Sequence, residues 1–208
     1  WGISREDQDA LAVESHHRAA AATDAGHFKS QILPIELKNR KGTVLFDTDE
    51  HMRRDASIEG MFKLRPVFLK KGSVTPGNAS GINDAAAAVV LMERAAAETK
   101  GLKPMARLVR YSHPGVEPRY MGIGPVPAGR KLPGKCGVGS RAIDAFEVNE
   151  AFAAQALAVC RDLGLPMDKT NPNGSGISLG HPIGATGTIC TVKALHELER
   201  TGGRLGLV

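Results

Sequence analysis

One stretch of the chain alternates regular and irregular structure within a short distance: residues 142–187 read AIDAFEVNEAFAAQALAVCRDLGLPMDKTNPNGSGISLGHPIGATG. Its first part, 142–148, predicts a strand, and 150–163 predicts a helix that ends at a glycine. A glycine-rich run follows, and 188–200 places apolar side chains at helical spacing. Strand, helix, glycine loop and helix in this order predict an α/β fold.

Upstream, three further segments allow a prediction of local structure. Ser4 is a favoured N-cap residue, and we expect a helix from there to Gly26. The region 32–71 loses this periodicity and predicts short strand-like pieces, 32–37 and 43–46, between charged turns. The alanine-rich run 85–99 predicts a helix because alanine has the highest intrinsic helix propensity.

Two segments between residues 99 and 142 are assigned from their turn residues and composition. Residues 106–111 follow a proline and predict a strand. Residues 128–141 contain four glycines and a proline, which oppose a helix, so we expect a loop there.

Composition excludes several classes of protein. The chain has 208 residues, of which 42% are hydrophobic, so it can bury a core, and no run approaches the ~18 apolar residues of a membrane span. A formal net charge of +5 is small for a polybasic nucleic-acid binder but suits an anionic ligand. Three cysteines, Cys136, Cys160 and Cys190, form no CxxC pair, which favours a reducing compartment, cytoplasmic or organellar.

The glycine-rich run holds one ionisable side chain, His181, between Gly180 and Pro182. Glycines permit close backbone approach and Pro182 restrains the chain, so this imidazole is a candidate catalytic base. A dinucleotide motif beginning at Gly174 fails because position 179 is leucine, and no P-loop GK[ST] follows. A structural histidine on a tight turn remains an alternative.

Asn149 lies where the predicted strand turns into a helix. Its amide could donate a hydrogen bond, directly or through water, to an oxygen that gains negative charge. The alternative is that Asn149 only caps the helix, because asparagine is a favoured N-cap residue.

Five ordered blocks together resemble the thiolases, the acyl-CoA:acetyl-CoA C-acyltransferases, and most closely their bacterial biosynthetic and broad-range β-ketothiolases. The blocks are KLRP at 63–66, GNASG at 77–81, GIGPVP at 122–127, NEAFAAQ at 149–155, and 173–187 with its Gly-His-Pro core. The resemblance implies an α/β fold of two βαβαβαββ halves layered α/β/α/β/α, incomplete in this chain. Residues 1–82 would be the later part of a loop domain that binds CoA, 83–103 the closing helix of the first half, and 104–208 most of the second half.

The resemblance also implies the chemistry: acetyl-CoA is condensed with an acyl-CoA, or a 3-ketoacyl-CoA is thiolysed, through a cysteine nucleophile. His181 would activate that cysteine and donate a hydrogen bond to a thioester oxygen, and Asn149 would hold the water that completes the oxyanion hole. The resemblance implies CoA thioesters as the substrates and no separate cofactor. From the residues themselves we expect no metal, nucleic acid or membrane. The implied CoA-binding residues are Arg53, Leu64, Phe68, Ala79, Ser80, Ala151 and Phe152.

The basic region 38–71 fits this substrate. It contains nine basic and five acidic residues, and CoA carries several phosphate charges. A solvated loop face explains any single lysine there equally well. The family further implies homodimers or homotetramers, a cytoplasmic setting, and roles in fatty acid metabolism or polyhydroxyalkanoate biosynthesis.

The chain departs from the family in its cysteines. Thiolases carry the nucleophile far upstream and a second cysteine in a Cys-x-Gly-Gly-Gly segment, and neither has a counterpart in the 208 residues. We therefore expect a fragment that lacks both ends and is inactive by itself. One alternative is a non-catalytic thiolase-like protein that binds CoA or lipid. A ketoacyl synthase is a further alternative, but it would carry a second histidine in place of Asn149.

Overall fold

The computed structural model describes residues 1–136 and 139–208, with the side chains of 133–136 and 140 outside the described part. Helix α1 spans Arg5–Asp24. It begins where the sequence predicts, because the Ser4 hydroxyl accepts a hydrogen bond from the backbone N–H of Asp7 at 3.0 Å. Gly26 follows the helix at φ 75°, a conformation that glycine adopts without strain.

The loop-rich region contains an antiparallel hairpin of β1, Ile35–Asn39, and β2, Gly42–Phe46. Both predicted strand-like pieces overlap its strands. Ile35 pairs with Phe46 and Leu37 with Val44, so these four apolar side chains lie on one face of the ribbon. All ten strand residues are exposed, and the hairpin therefore stands apart from the core.

The predicted helix at 85–99 is wrong over its first nine residues. Helix α2 spans Ile58–Phe62 and helix α3 only Arg94–Thr99, while 81–93 is neither helix nor strand. Alanine propensity is weak by itself, and helices in proteins depend on packing an apolar face. Ile82, Val90 and Leu91 are 96%, 86% and 78% exposed, so no such packing selects a helix here.

The predicted strand at 106–111 is also not formed within the described residues, because no second strand pairs with it. The predicted strand at 142–148 narrows to β3, Ala145–Phe146, which pairs in parallel with β4, Gly206–Leu207. Phe146 also bridges Thr170 on its other side. Both sheets are thus two-stranded.

The prediction of a loop at 128–141 is wrong for most of that segment. A 3-10 helix at Pro118–Ile123 leads into α4, Pro125–Cys136, and a short 3-10 helix follows at Ser140–Ala142. Pro125 and Pro127 lie in the first turn of α4, where proline is tolerated, whereas Pro133, the proline of the predicted loop, lies inside the helix. Val126, 2% exposed, packs with Val148 and Val159. Tertiary packing outweighs the low helix propensity of the glycines. The remainder of the prediction, at 137–138, lies outside the described residues.

Three helices complete the fold: α5 at Ala153–Leu163, α6 at Gly176–Leu179 and α7 at Thr186–Thr201. The first and last confirm the predicted helices with shifted starts. Gly164 and Gly202 end them in the left-handed conformation that favours glycine.

Helix α1 packs against α5 and α6, and its buried face is largely polar. Ala12 joins a core cluster with Met61, Ala153 and Ile177. The buried polar side chains of α1 are instead held by hydrogen bonds to other segments. Asp9, for example, accepts from the Asn78 amide at 2.8 Å. These hydrogen bonds therefore connect α1 to segments that are distant in the sequence, such as the turn that begins at Asn78.

Among the described residues, no helix combines the length and apolar composition needed to cross a bilayer. In the same part of the chain, no group of three or more His, Cys, Asp or Glu side chains is arranged to hold a metal ion.

Candidate active site

Three loops meet at the carboxyl end of β3, and they carry both predicted catalytic residues and four of the seven residues expected to bind CoA. The backbone N–H and hydroxyl of Ser80 both donate to the Ala151 carbonyl, at 3.0 and 2.9 Å. The backbone N–H of His181 donates to the Gly81 carbonyl at 3.2 Å. The turn at 78–81 therefore joins the segment after Asn149 to the histidine loop.

Asn149 is not a helix cap. Helix α5 begins at Ala153, and its N-cap residue is Phe152. The Asn149 Nδ2 lies 3.3 Å from both ring nitrogens of His181, and its buried Oδ1 has no hydrogen-bond partner among the described residues. Gly176 permits this placement, because a Cβ there would lie 2.6 Å from the same Oδ1. The structure thus brings the two predicted catalytic side chains into contact.

A buried polar network fixes the loop beneath these two residues. The Ser15 hydroxyl donates to Glu150 Oε2 at 2.6 Å, and the Asn171 amide donates to Glu150 Oε1 at 2.9 Å. Burial raises the pKa of the Glu150 carboxyl, while these hydrogen bonds and Lys193 act in the opposite direction. The network connects α1 to the segment after β3 and to the start of the glycine-rich loop.

Lys193 of α7 is a buried cation that no sequence motif singles out. Its Nζ lies 2.7 Å from Glu147 Oε2 and donates to the Gly174 carbonyl. Burial opposes the charge of this lysine, but Glu147 raises its pKa above the usual value. The pair connects α7, β3 and the start of the glycine-rich loop.

Two further side chains, which the sequence motifs do not identify, lie beside the candidate base or its loop. Thr186, five residues after His181, places its Oγ1 2.7 Å from the His181 Nδ1. The Asn83 side chain lies so close to Gly81 and Gly180 that a Cβ on either would come within 2.7 Å of it. A hydroxyl one helical turn beyond a Gly-His-Pro turn is the only signal that could have indicated Thr186.

Contacts join five of the seven residues expected to bind CoA into one patch that includes the segment just after Asn149 in the chain. Phe68 is 70% exposed, and its ring meets that of Phe152 edge to face at 6.1 Å. Ala79 pairs with Phe152 in an isolated antiparallel bridge. The Ser80 hydroxyl already donates to Ala151, so its lone pairs remain to accept from an incoming N–H group.

Leu64 and Arg53, the other two residues expected to bind CoA, are held by different contacts. Leu64 packs against the core cluster of Met61, and its Cδ1 would be 2.5 Å from a Cβ at Gly77. The exposed Arg53 is held by its backbone N–H, which donates to His16 Nδ1 at 3.1 Å. The structure joins this loop to the site through His51, whose Nδ1 lies 3.4 Å from the Asn83 amide.

The two cysteines with described side chains are unsuited to act as nucleophiles. Cys160 and Cys190 are buried within α5 and α7, and burial raises the pKa of each thiol to about 11. Cys136 lies outside the described side chains. The arrangement can accept and return a proton at His181 and donate a hydrogen bond from Asn149.

Comparison with known proteins gives matches over nearly the whole chain. The family model of the thiolase N-terminal domain matches residues 1–95, and that of the thiolase C-terminal domain matches 102–208. β-Ketothiolase BktB of Cupriavidus necator is 64% identical over 209 residues, which cover 100% of this chain and 53% of the relative. An acetyl-CoA acetyltransferase of Syntrophomonas wolfei is 51% identical, with 52% of that relative covered.

Solved structures agree with the predicted thiolase-like fold. The acetyl-CoA acetyltransferase of Bacillus anthracis superposes with a TM-score of 0.95 at 50% identity, covering 99% of this chain and 53% of that one. Human mitochondrial 3-ketoacyl-CoA thiolase gives 0.90 at 45% identity, covering 97% and 51%. The chain spans about half the length of the curated relatives it matches. By both of its family-model matches, the chain belongs to the thiolase family.

Proposed function

We propose that the protein containing these residues catalyses acyl transfer between CoA thioesters, as thiolysis of a 3-ketoacyl-CoA or its reverse, the condensation of acetyl-CoA with an acyl-CoA. The observation that carries the proposal is the contact of the Asn149 amide with the His181 ring, beside the patch of Ser80 and Phe152. Relatives up to 64% identical are named β-ketothiolase and acetyl-CoA acetyltransferase.

In this mechanism His181 takes the proton of an attacking thiol and returns it later in the cycle. A free thiol with a pKa of ~8.5 is mostly protonated at neutral pH, so a neighbouring base is required. Asn149 donates a hydrogen bond, directly or through water, to the thioester oxygen as that oxygen gains negative charge. The buried, hydrogen-bonded loops hold both groups in place before substrate binds.

The nucleophile in this proposal is a cysteine outside the 208 residues. The support is the burial of Cys160 and Cys190, which makes their thiolates scarce at neutral pH. The chain by itself would then bind substrate without turning it over.

The CoA thioester would lie over the patch of Phe68, Phe152 and Ser80. Ser80 would accept from an amide N–H of the pantetheine arm, and the two exposed rings would pack against its apolar part. Arg53 and its basic neighbours would face the phosphates of the nucleotide.

The proposal extends to assembly and setting. We infer a homodimer or homotetramer of a cytoplasmic protein that acts in fatty acid or polyhydroxyalkanoate metabolism. The exposed apolar face of the hairpin, formed by Ile35, Leu37, Val44 and Phe46, supports association with a second copy.

A chimera tests the activity. The 208 residues replace the matching 209-residue segment of the Cupriavidus β-ketothiolase, and CoA-dependent thiolysis of acetoacetyl-CoA is measured. We expect turnover in the chimera and a loss of about 10²- to 10⁴-fold in His181→Ala, because this range is what general-base catalysis contributes. His196→Ala is the matched control. His196 lies in the second half of α7, where its Nδ1 is 3.1 Å from the Ser30 hydroxyl and not in the His181 contact.

Two results would contradict the proposal. Equal rates in His181→Ala and His196→Ala would exclude His181 as the base. A folded chimera that binds CoA in calorimetry but does not cleave acetoacetyl-CoA would instead favour a non-catalytic CoA-binding protein.

A further inference from the structure

Thr186 is the first residue of α7, and its hydroxyl makes two short contacts. The Oγ1 lies 2.9 Å from the Pro182 carbonyl oxygen and 2.7 Å from the His181 Nδ1. The residue is 7% exposed, so water does not compete freely for either contact. The backbone N–H of Thr186 donates to the same carbonyl at 2.9 Å, which fixes the position of the hydroxyl.

The single hydroxyl proton of Thr186 can satisfy only one of these contacts. A carbonyl oxygen cannot donate, so two oxygens 2.9 Å apart are attractive only with the threonine proton between them. Towards His181 the hydroxyl therefore presents a lone pair. A nitrogen 2.7 Å from that lone pair must carry a proton, and the neutral ring is protonated at Nδ1.

This assignment leaves the lone pair of the neutral ring on Nε2. The Asn149 Nδ2 is equally distant, 3.3 Å, from both ring nitrogens, so it lies off the direction of either lone pair and does not occupy the Nε2 lone pair. The hydrogen bonds then run in one direction, from the His181 Nδ1–H to Thr186 and from the Thr186 hydroxyl to Pro182. Nε2 is the nitrogen that is free to accept a proton.

We propose that Thr186 is a positioning residue that holds His181 in the Nδ1-protonated form, so that Nε2 serves as the base. The catalytic meaning of this proposal rests on the proposed function, while the tautomer itself does not. In the opposite tautomer Nε2 would already carry a proton, and the ring could not take one from a thiol on that side.

Imidazole NMR of the 208-residue chain tests the tautomer without any turnover. Long-range ¹⁵N–¹H correlations at about pH 8, where an ordinary imidazole is neutral, distinguish the two forms. We expect the Nδ1-protonated pattern for His181. His16 is an internal reference of the opposite form, because its Nδ1 accepts the Arg53 backbone N–H. Burial lowers the pKa of His16 to about 4, so its ring stays neutral.

Two variants separate the hydroxyl from the shape of the side chain. Thr186→Val keeps the volume but removes the hydroxyl, and we expect the His181 pattern to shift towards the Nε2-protonated form. Thr186→Ser keeps the hydroxyl and should retain the wild-type pattern. In the chimera, the valine variant should lose about 10²-fold in kcat with a smaller change in KM, and the serine variant should recover most of it.

An Nε2-protonated pattern in the wild-type chain, or identical patterns in wild type and Thr186→Val, would overturn the proposal. If the valine variant does not fold, the wild-type and serine spectra still decide the tautomer. Failure of the proposed function has a different signature, namely an inactive chimera whose His181 is nevertheless Nδ1-protonated.

Discussion

His16 shows how burial of a single side chain can set a pH dependence. The ring is 4% exposed on α1, and burial, with the nearby charges of His51 and Arg53, lowers its pKa from 6.5 to about 4. Between these two values the unfolded chain binds a proton at this site and the folded chain does not. Stability is therefore lost as the pH falls from about 6.5 towards 4.

Substituting His16 by asparagine should remove this pH dependence. The asparagine Oδ1 can still accept the Arg53 N–H but does not titrate. Between pH 6.5 and 5 we expect the wild-type chain to lose roughly 1–2 kcal/mol more stability than His16→Asn, since one pKa unit corresponds to ~1.4 kcal/mol. Urea unfolding at both pH values measures the difference. His17→Asn, on the exposed side of α1, controls for the substitution, and parallel pH curves for wild type and His16→Asn would contradict the assignment.

At the same scale, the sequence predicts Asn149 and His181 as candidate catalytic residues, and the structure brings them into contact, but the sequence does not predict what orients them. Both follow from residue type and from the blocks around them. Thr186 is not among the predicted residues, because the role proposed for it depends on two distances that the order of residues does not reveal. The alternative that Asn149 caps a helix failed for a similar reason, since the helix begins four residues later.

Among the elements, the predictions held where a cap or a packed face specifies the structure. Helix α1 has the Ser4 cap, and α7 buries Cys190 and Ala194 and ends at Gly202. They failed where composition alone was used. The alanine run 85–93 has no packed face, whereas α4 forms despite its glycines because Val126 is buried against α5.

The glycine-rich loop illustrates how close packing specifies an element. Gly174 has a φ of 76°, and a Cβ there would lie 2.5 Å from Ser178 Oγ, 2.8 Å from Ala19 Cβ and 2.9 Å from the Ser15 carbonyl. We expect Gly174→Ala to destabilise the chain by about 2–4 kcal/mol, through backbone strain and displacement of α1.

Gly187 is the matched position in the same region. It lies in α7, a methyl group added there would have no neighbouring atom within 4 Å, and alanine is the better helix former. Gly187→Ala should therefore leave stability unchanged or raise it by up to ~1 kcal/mol. Urea midpoints of the two variants give the comparison, and equal midpoints would show that the loop does not pack against α1 as described.

Across the whole molecule, the packed helices and the backbone hydrogen bonds are concentrated around the site. Helices α1, α5, α6 and α7 enclose the loops of Asn149 and His181. Within the described ranges, residues 82–92 and 103–116 make no backbone–backbone hydrogen bonds, and most of their large apolar side chains are exposed. The relatives are about twice as long as this chain. Sequence periodicity could not distinguish the exposed segments 82–92 and 103–116 from packed ones, because their apolar content resembles that of buried segments.

This distribution predicts where a protease cuts first. Trypsin should cleave the native 208-residue chain after Arg107 and Arg110, which are exposed and outside regular structure. Cleavage after Arg18 of α1, which donates to the Thr170 carbonyl, and after the buried Lys193 should be slower by at least about tenfold, because both require the packed helices to open. Mass spectrometry of a time course measures these rates, and comparable rates at all four sites would refute a packed core around the site. In the chimera, the added residues should cover the apolar side chains of 105–111, and cleavage after Arg107 and Arg110 should slow while the other two sites stay protected.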